Sequence, residues 1–270
     1  MTHKNYHTHT IFCDGKDTPE SLVEEALRLG CQEIGFSGHS YTYFDESWCM
    51  SKEKTKAYRE CILRLKSKYK KKIKILLGIE QDLWSEESIK GYDFVIGGVH
   101  YVKHGEDFLP TDESAEMMKK IVEEYYSGDY LSFCEAYYSD VAKLSRRTDC
   151  DIIAHFDLIT KNNEIEPIID VNDKRYKEYA IEAVRSLCKS VGVFEINTGA
   201  ISRGYRKTPY LAPFILKEIK RLGGEITISS DCHDNRFLTY YFDECALLAK
   251  ECGFDHAVVL TKEGFKPVKL

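Results

Sequence analysis

Six of the nine histidines stand where short apolar runs come to an end, and the carboxylates Glu80 and Asp231 do the same. The first run closes on His7-Thr8-His9, with Asp14 in the loop beyond it. The run from Ile34 ends on His39, that from Ile75 on Glu80, that from Phe94 on His100, and that from Asp151 on His155 with Asp157 two residues on. Later runs end at Phe194-Glu195-Ile196-Asn197-Thr198 and at Ser229-Ser230-Asp231-Cys232-His233. Imidazoles mixed with carboxylates form a ligand set for Zn²⁺, Mn²⁺ or Fe rather than for Ca²⁺ or Mg²⁺ alone. His7 and His9 are two residues apart, so an extended backbone presents both rings on one face. Asp231 and His233 repeat that spacing, which turns Cys232 the other way. The six histidines with Asp14, Glu80 and Asp231 are too many ligands for one ion and suit three, provided one carboxylate bridges.

Taken singly, each residue has an ordinary explanation. A carboxylate at a strand end caps a turn or helix, and a buried histidine satisfies hydrogen bonds in a core. The conjunction carries the weight, because these positions close runs that must point the same way. His3, His104 and His256 lack that context and read as surface or loop residues. Cys13 and Cys232 read as facing the packing side.

The elements that would position this set alternate between short apolar runs and amphipathic stretches. Strands are expected at 33–37, 73–77, 94–97, 152–154, 193–196, 225–229 and 257–260, with one more before His7, which makes about seven or eight. Helices are expected near 52–70, 114–126, 129–147, 173–190, 210–222 and 239–252. A first helix is punctuated by Thr18 as N-cap, Pro19 at its first position, Glu20 in its first turn and Gly30 at its end. Leu22, Val23, Ala26, Leu27 and Leu29 fall on one face of it. This alternation predicts parallel strands in a closed α/β barrel, with an open doubly wound sheet as the second choice. No glycine-rich dinucleotide or P-loop fingerprint supports the open sheet. In a β/α barrel the C-terminal strand ends converge on one mouth, so residues scattered in sequence meet there.

The composition sets bounds. At 270 residues with 43% hydrophobic and 12% aromatic content, the chain suits one large domain, 1–270, with no linker or repeat. A net charge of −6 gives no footprint for nucleic acid. The opening ten residues lack the apolar core of a signal peptide, and no stretch reaches the roughly 18 apolar residues of a membrane span. Ten cysteines without a CxxC pair read as reduced thiols, so a cytoplasmic protein with no membrane partner is expected.

In this order, from His-Thr-His near the start to Ser-Asp-Cys-His near the end, the residues resemble the PHP (polymerase and histidinol phosphatase) phosphoesterases. The resemblance implies a distorted (β/α)7 TIM-like barrel with a trinuclear metal centre. It places His7, His9, Glu80 and Asp231 on one metal. Glu80 would bridge to a second metal completed by His100 and His155, and Asp14, His39 and His233 would hold the third. Gly38 departs from the pattern, since many relatives carry an acidic residue before that histidine. The chain length and the run from Glu195 to Arg206 look like the stand-alone histidinol-phosphatase branch. That branch implies hydrolysis of L-histidinol phosphate to L-histidinol and phosphate in histidine biosynthesis, with three divalent ions (Zn, Mn or Fe) as cofactors. A water bridging two metals, deprotonated to hydroxide, is the expected nucleophile.

Arg203 and Arg206 are the expected phosphate grips, because guanidinium matches phosphoryl oxygens bidentately. Lys161 is a further candidate, and Asp157 is a candidate acid for the leaving alkoxide. Tyr41, Tyr43, Phe44, Asp45 and Glu46, with Tyr101 or Tyr205, are expected to wall the substrate's cationic end. The alternatives are another phosphomonoester or a phosphotyrosine protein on the same fold, an amidohydrolase-type hydrolase of C–N bonds, and a non-catalytic metal-binding module. An amidohydrolase reading would leave Asp14, His39 and His233 without work, and a module would not need the full set. Oligomeric state is not legible from these features.

Overall fold

In the computed structural model, which describes residues 4–270, seven parallel strands curl into a nearly closed barrel. His3 lies outside the described residues. The chain begins with β1 (Lys4–Asn5), α1 (Pro19–Arg28), β2 (Glu33–Phe36), α2 (Lys52–Tyr69), β3 (Lys74–Asp82) and β4 (Phe94–Gly98). A hairpin, β5 (Tyr101–His104) and β6 (Asp107–Pro110), precedes α3 (Ala115–Tyr126), α4 (Tyr130–Val141), α5 (Leu144–Thr148) and β7 (Ile152–Ile153). Then come α6 (Lys174–Leu187), β8 (Val193–Asn197), α7 (Gly199–Ser202), α8 (Pro213–Arg221), β9 (Glu225–Ser229) and α9 (Phe242–Glu251). The hairpin β10 (His256–Thr261) and β11 (Gly264–Lys269) ends the chain.

The barrel order is β1-β2-β3-β4-β7-β8-β9. Its two edges meet past the strand ends, where Thr8 bridges Cys232 in parallel register. The His9 N–H donates to the Cys232 carbonyl at 2.8 Å, and the Cys232 N–H donates to that of His7 at 3.0 Å. Strand alternation then layers the interior. Leu76, Phe94, Ile96, Ile152 and Val193 belong to an apolar cluster with Tyr6. Further along the same faces, two or four residues on, stand Gly78, Glu80, Gly98 and Glu195. The apolar layer therefore supports a polar one at the C-terminal mouth.

The first helix forms as its punctuation predicts. Thr18 accepts from the Ser21 N–H, Pro19 opens the helix, and Leu22, Val23 and Ala26 are buried against the barrel. None of the ten cysteines, all among the described residues, is disulfide-bonded. Among those residues no helix is long and apolar enough to cross a membrane.

Two expectations need correction, and one element was not foreseen. The run 257–260 is not a barrel strand: it lies in β10, which pairs only with β11, antiparallel. Barrel strands are buried on both faces, whereas β10 buries only Val258. The expected helix over 129–147 is two helices, because α4 ends at a C-cap on Ala142 and α5 restarts after Lys143. The β5–β6 hairpin was not anticipated, although Gly105 at φ 61° supplies the turn it needs.

Candidate metal centre

The nine candidate ligands gather at the mouth, most of them just past a strand end. His7 and His9 flank Thr8, whose hydroxyl donates to the Gly35 carbonyl at 2.5 Å and anchors the segment on β2. His39 follows β2 and bridges Glu80 in parallel register. Glu80 lies within β3, His100 follows β4, and His155 follows β7. Asp231 and His233 follow β9, but not on the extended backbone that their spacing suggested. Asp231 adopts φ 47°, a left-handed conformation that Asp tolerates better than most residues. Cys232 does turn away, into the apolar cluster with Leu22 and Phe36. Cys13 packs against the same cluster, and burial first, with Asp14 beside it, raises its thiol to about 12.

The cluster centres on the Glu80 carboxylate. Its Oε2 lies 3.1 Å from His7 Nε2, 3.4 Å from His9 Nε2 and 2.8 Å from His39 Nδ1. Its Oε1 lies 2.9 Å from His155 Nε2 and 3.5 Å from His100 Nε2. Asp231 Oδ1 is 3.1 Å from His9 Nε2 and 3.6 Å from His7 Nε2. Asp14, exposed at the mouth, has Oδ2 at 3.1 Å from His233 Nε2 and Oδ1 at 3.7 Å from His39 Nε2. These side chains form four overlapping groups: His9-Asp14-His39-His233, His7-Glu80-His155, His7-His9-Asp231 and His39-Glu80-His100. Within each group the donor atoms lie within 4.8 Å of one another. His7, His9 and His39 each belong to two groups.

The donor atoms themselves argue for cations. His7 Nε2, His9 Nε2, His39 Nδ1 and Glu80 Oε2 are buried and make no hydrogen bond. A buried polar atom left so costs about 1–3 kcal/mol. Divalent ions among these nitrogens and carboxylate oxygens would satisfy all four atoms, and the donor types fit Zn, Mn or Fe. The protonation balance is correspondingly split. Burial, aided by His233 and His39, pulls His9 down to about 3. Burial also opposes the charge on His7, but Glu195, Glu80 and Asp231 outweigh it and raise His7 well above its ordinary value. At His100 burial is likewise overcome, by the Asp82 hydrogen bond and Glu80, which lift it to about 9.

Two carboxylates that sequence reasoning left without a role hold the ligand rings. Glu195 Oε1 is 2.7 Å from His7 Nδ1, while its Oε2 accepts from the His155 N–H at 3.1 Å and from Asn197 Nδ2 at 2.8 Å. Asp82 Oδ2 accepts from the His100 N–H at 3.2 Å and lies 3.1 Å from His100 Nδ1. A carboxylate behind an imidazole fixes its tautomer and turns the far nitrogen toward the metal. A signal existed for Asp82: two residues beyond Glu80 on one strand, it shares that residue's face. Two glycines leave room for the cluster. A Cβ on Gly98 would stand 3.1 Å from Glu80 Oε1 and 3.0 Å from His100 Cε1, and one on Gly199 would stand 2.6 Å from Asp231 Oδ2.

Above the cluster opens a cavity of about 390 Å³ whose walls include Asp14, His39, His100, His155, Asp231 and His233. Arg203 also lines it, with Nη2 at 3.0 Å from Asp231 Oδ2 and Nη1 at 2.7 Å from His233 Nδ1. So does Lys161, which donates to Asp112 Oδ2 at 2.8 Å and sits 4.7 Å over the Tyr205 ring.

Arg206 and Asp157 do not reach this cavity. Arg206 stacks 4.6 Å over Tyr210 and donates to the Thr160 and Thr208 carbonyls, facing a separate cleft. Asp157 is buried on that same side and accepts from the Ala212 N–H at 3.2 Å. The chain leaves extended geometry after His155, where Leu158 N–H turns back to the His155 carbonyl, and Asp157 is carried away from the mouth. Of the expected wall, Asp45, Tyr101 and Tyr205 line the cavity. Tyr41 and Glu46 bond each other at the surface, Tyr43 is exposed, and Phe44 stacks on Phe108. Trp48, not singled out from sequence, takes their place. His104 packs edge-on against Tyr125 and Tyr126, and His256 pairs with Asp255 and Glu225, both apart from the cluster.

The family model for the PHP domain matches residues 5–199. A Schizosaccharomyces pombe protein named "Probable histidinol-phosphatase" is 26% identical over 277 residues, covering 95% of this chain and 89% of its own. The histidinol-phosphatase of Lactococcus lactis subsp. lactis is 28% identical over 264 residues, covering 94% and 93%. Among solved structures, the L. lactis histidinol phosphate phosphatase with Zn, L-histidinol and phosphate superposes with a TM-score of 0.75 at 22% identity, over 98% of this chain and 99% of that one. The family match covers well over half of the chain, including five of the six histidines at the mouth, and the chain belongs to the PHP domain family.

Proposed function

We propose that this chain is a metal-dependent phosphomonoesterase that hydrolyses L-histidinol phosphate. One observation carries the reading: nine ligand-type side chains converge beneath a cavity that also presents Arg203 and Lys161. The names of its relatives, two histidinol phosphatases matched over most of their length, support the substrate.

In this reading Glu80 would serve two ions, because its two oxygens face two different sets of imidazoles. His7, His9 and Asp231 would hold one ion with it, His100 and His155 a second, and Asp14, His39 and His233 a third. Ions so held would lower the pKa of a bound water toward neutrality, polarise a phosphoryl oxygen and offset charge developing in the in-line transition state. The protein's part is to place the ester. Arg203, tied to Asp231 and His233, is fixed beside the phosphoryl position and matches its oxygens. Lys161 adds a positive charge held in place by Asp112. Burial works against ionisation of Asp112, but Lys161 and His100 keep its carboxyl below the ordinary range. It therefore stays anionic and, with Glu113, suits the cationic end of a histidinol ester. Asp157, away from the cavity, is not the proton donor in this account.

The test is a comparison of kcat/KM for L-histidinol phosphate, phosphotyrosine peptides, generic phosphomonoesters and a phosphodiester on metal-loaded protein. Preference for L-histidinol phosphate by at least tenfold supports the assignment. Turnover confined to other esters removes it and leaves the metal centre standing.

A further inference from the structure

His39, like His155, differs from the other four histidines of the cluster in how its ring is held. His7 is held from outside the ligand set by Glu195, His100 by Asp82 and His233 by Arg203, whereas His155 has Glu80 at 2.9 Å and a buried Nδ1 without a partner. His9 contacts the Cys13 thiol. The polar neighbours of the His39 imidazole are themselves members of the ligand set: Nδ1 lies 2.8 Å from Glu80 Oε2 and Nε2 lies 3.7 Å from Asp14 Oδ1. The preceding Gly38 has no side chain to offer. What borders the His39 ring is aromatic: the Trp48 indole stands edge-on to it, with centroids 4.4 Å apart and planes at 85°. The same indole lies 5.1 Å from the His100 ring at 49°.

The indole is in turn anchored. Trp48 Nε1–H donates to the Tyr101 hydroxyl at 2.8 Å, and that hydroxyl donates to Asp45 Oδ2 at 2.6 Å. Asp45 Oδ1 accepts from the Ser47 N–H at 3.0 Å, which closes the loop that carries Trp48 onto the same carboxylate. Phe44 packs edge-on against Tyr101 and stacks on Phe108 of β6. The 41–50 loop is thereby stitched to the β5–β6 hairpin across the mouth, and the Trp48 ring has one orientation to take.

We infer that Trp48 is a positioning residue for the metal centre: it sets the ring plane of His39, and the Tyr101–Asp45 relay sets Trp48. The inference rests on the metal-centre reading above. It gives the 41–50 loop work that a wall of exposed tyrosines would not do, and it supplies by edge contact the orientation that hydrogen-bonded partners give elsewhere in the cluster.

The experiment is a titration of Zn²⁺ and Co²⁺ against a competing chromophoric chelator, with the Co²⁺ absorption bands recorded, on wild type and on Trp48→Ala, Trp48→Phe, Trp48→Leu and Tyr101→Phe. Wild type binds the ions. Trp48→Ala is expected to weaken one ion by about 10–100-fold and to shift the Co²⁺ bands. Trp48→Phe, which keeps a ring edge, recovers most of the loss, whereas Trp48→Leu does not. Tyr101→Phe weakens the same ion, and adds nothing in the Trp48→Ala background because it acts through the indole. Unchanged affinity and bands in folded Trp48→Ala, or full additivity of the two substitutions, would overturn the inference alone. Wild type that binds no metal overturns the metal-centre reading and this inference with it.

Discussion

Replacing Glu195 by Gln changes a carboxylate into an amide of the same shape, and the surroundings cannot accommodate the change. Glu195 is fully buried and every contact to it is a donor or a tautomer choice. If the amide oxygen faces His7 Nδ1, the amide NH2 confronts the His155 N–H and Asn197 Nδ2, which now donate to Oε2 at 3.1 and 2.8 Å. Two buried donors then lose their acceptor, at about 1–3 kcal/mol each. If the amide turns round, its N–H meets His7 Nδ1 and forces the proton of His7 onto Nε2. That nitrogen lies 3.1 Å from Glu80 Oε2 and 3.6 Å from Asp231 Oδ1 and would lose its lone pair for a metal. Either way the site is weakened. Loss of such a supporting carboxylate typically lowers metal affinity 10–100-fold, which corresponds to about 1.4–2.7 kcal/mol. Chelator competition measures the affinity, and circular dichroism of the same sample reports the fold. A folded Glu195→Gln protein that binds zinc as tightly as wild type would refute the claim that Glu195 sets the His7 tautomer.

Other substitutions and conditions probe separate parts of the site. Gly98→Ala places a methyl 3.1 Å from Glu80 Oε1 and 3.0 Å from His100 Cε1; we expect about 1–3 kcal/mol of destabilisation together with weaker metal binding, read from unfolding and chelator curves. Arg203→Ala should lower kcat/KM by about 10²–10³-fold, whereas Arg206→Ala should change thermal stability with little change in KM; steady-state kinetics of the pair separates them. Metal uptake at pH 7 should release protons from His7 and His100, both held protonated in the metal-free state. Calorimetry in buffers of different ionisation enthalpy measures the release, and the share that comes from His100 should fade as the pH passes about 9. For stability of the metal-free protein the sign is opposite: the raised His100 contributes fully below its ordinary value of 6.5, and the contribution is lost as pH rises through about 9.

The cluster was legible in the sequence because a barrel turns a one-dimensional regularity, polar residues closing apolar runs, into a point in space. His7, His9, Glu80, His100 and His155 all obey that rule. Residues that serve the cluster from behind were less legible. Glu195 lies inside β8 rather than closing it, and Trp48 sits in an irregular loop where no periodicity speaks. Asp157 and Arg206 were expected at the mouth from their chemistry, which says nothing of where the backbone carries them. The chain turns sharply at both positions and sends them to another cleft. The 257–260 run was misread because a short apolar stretch looks alike in a barrel strand and in a hairpin that covers one face.

The most direct measurement pairs metal content with phosphate release from L-histidinol phosphate in one sample, before chelation, after chelation and after reloading. The account predicts three ions per chain in the active sample, loss of activity with their removal, and recovery when they return. Full activity in a thoroughly chelated, metal-free sample would contradict it.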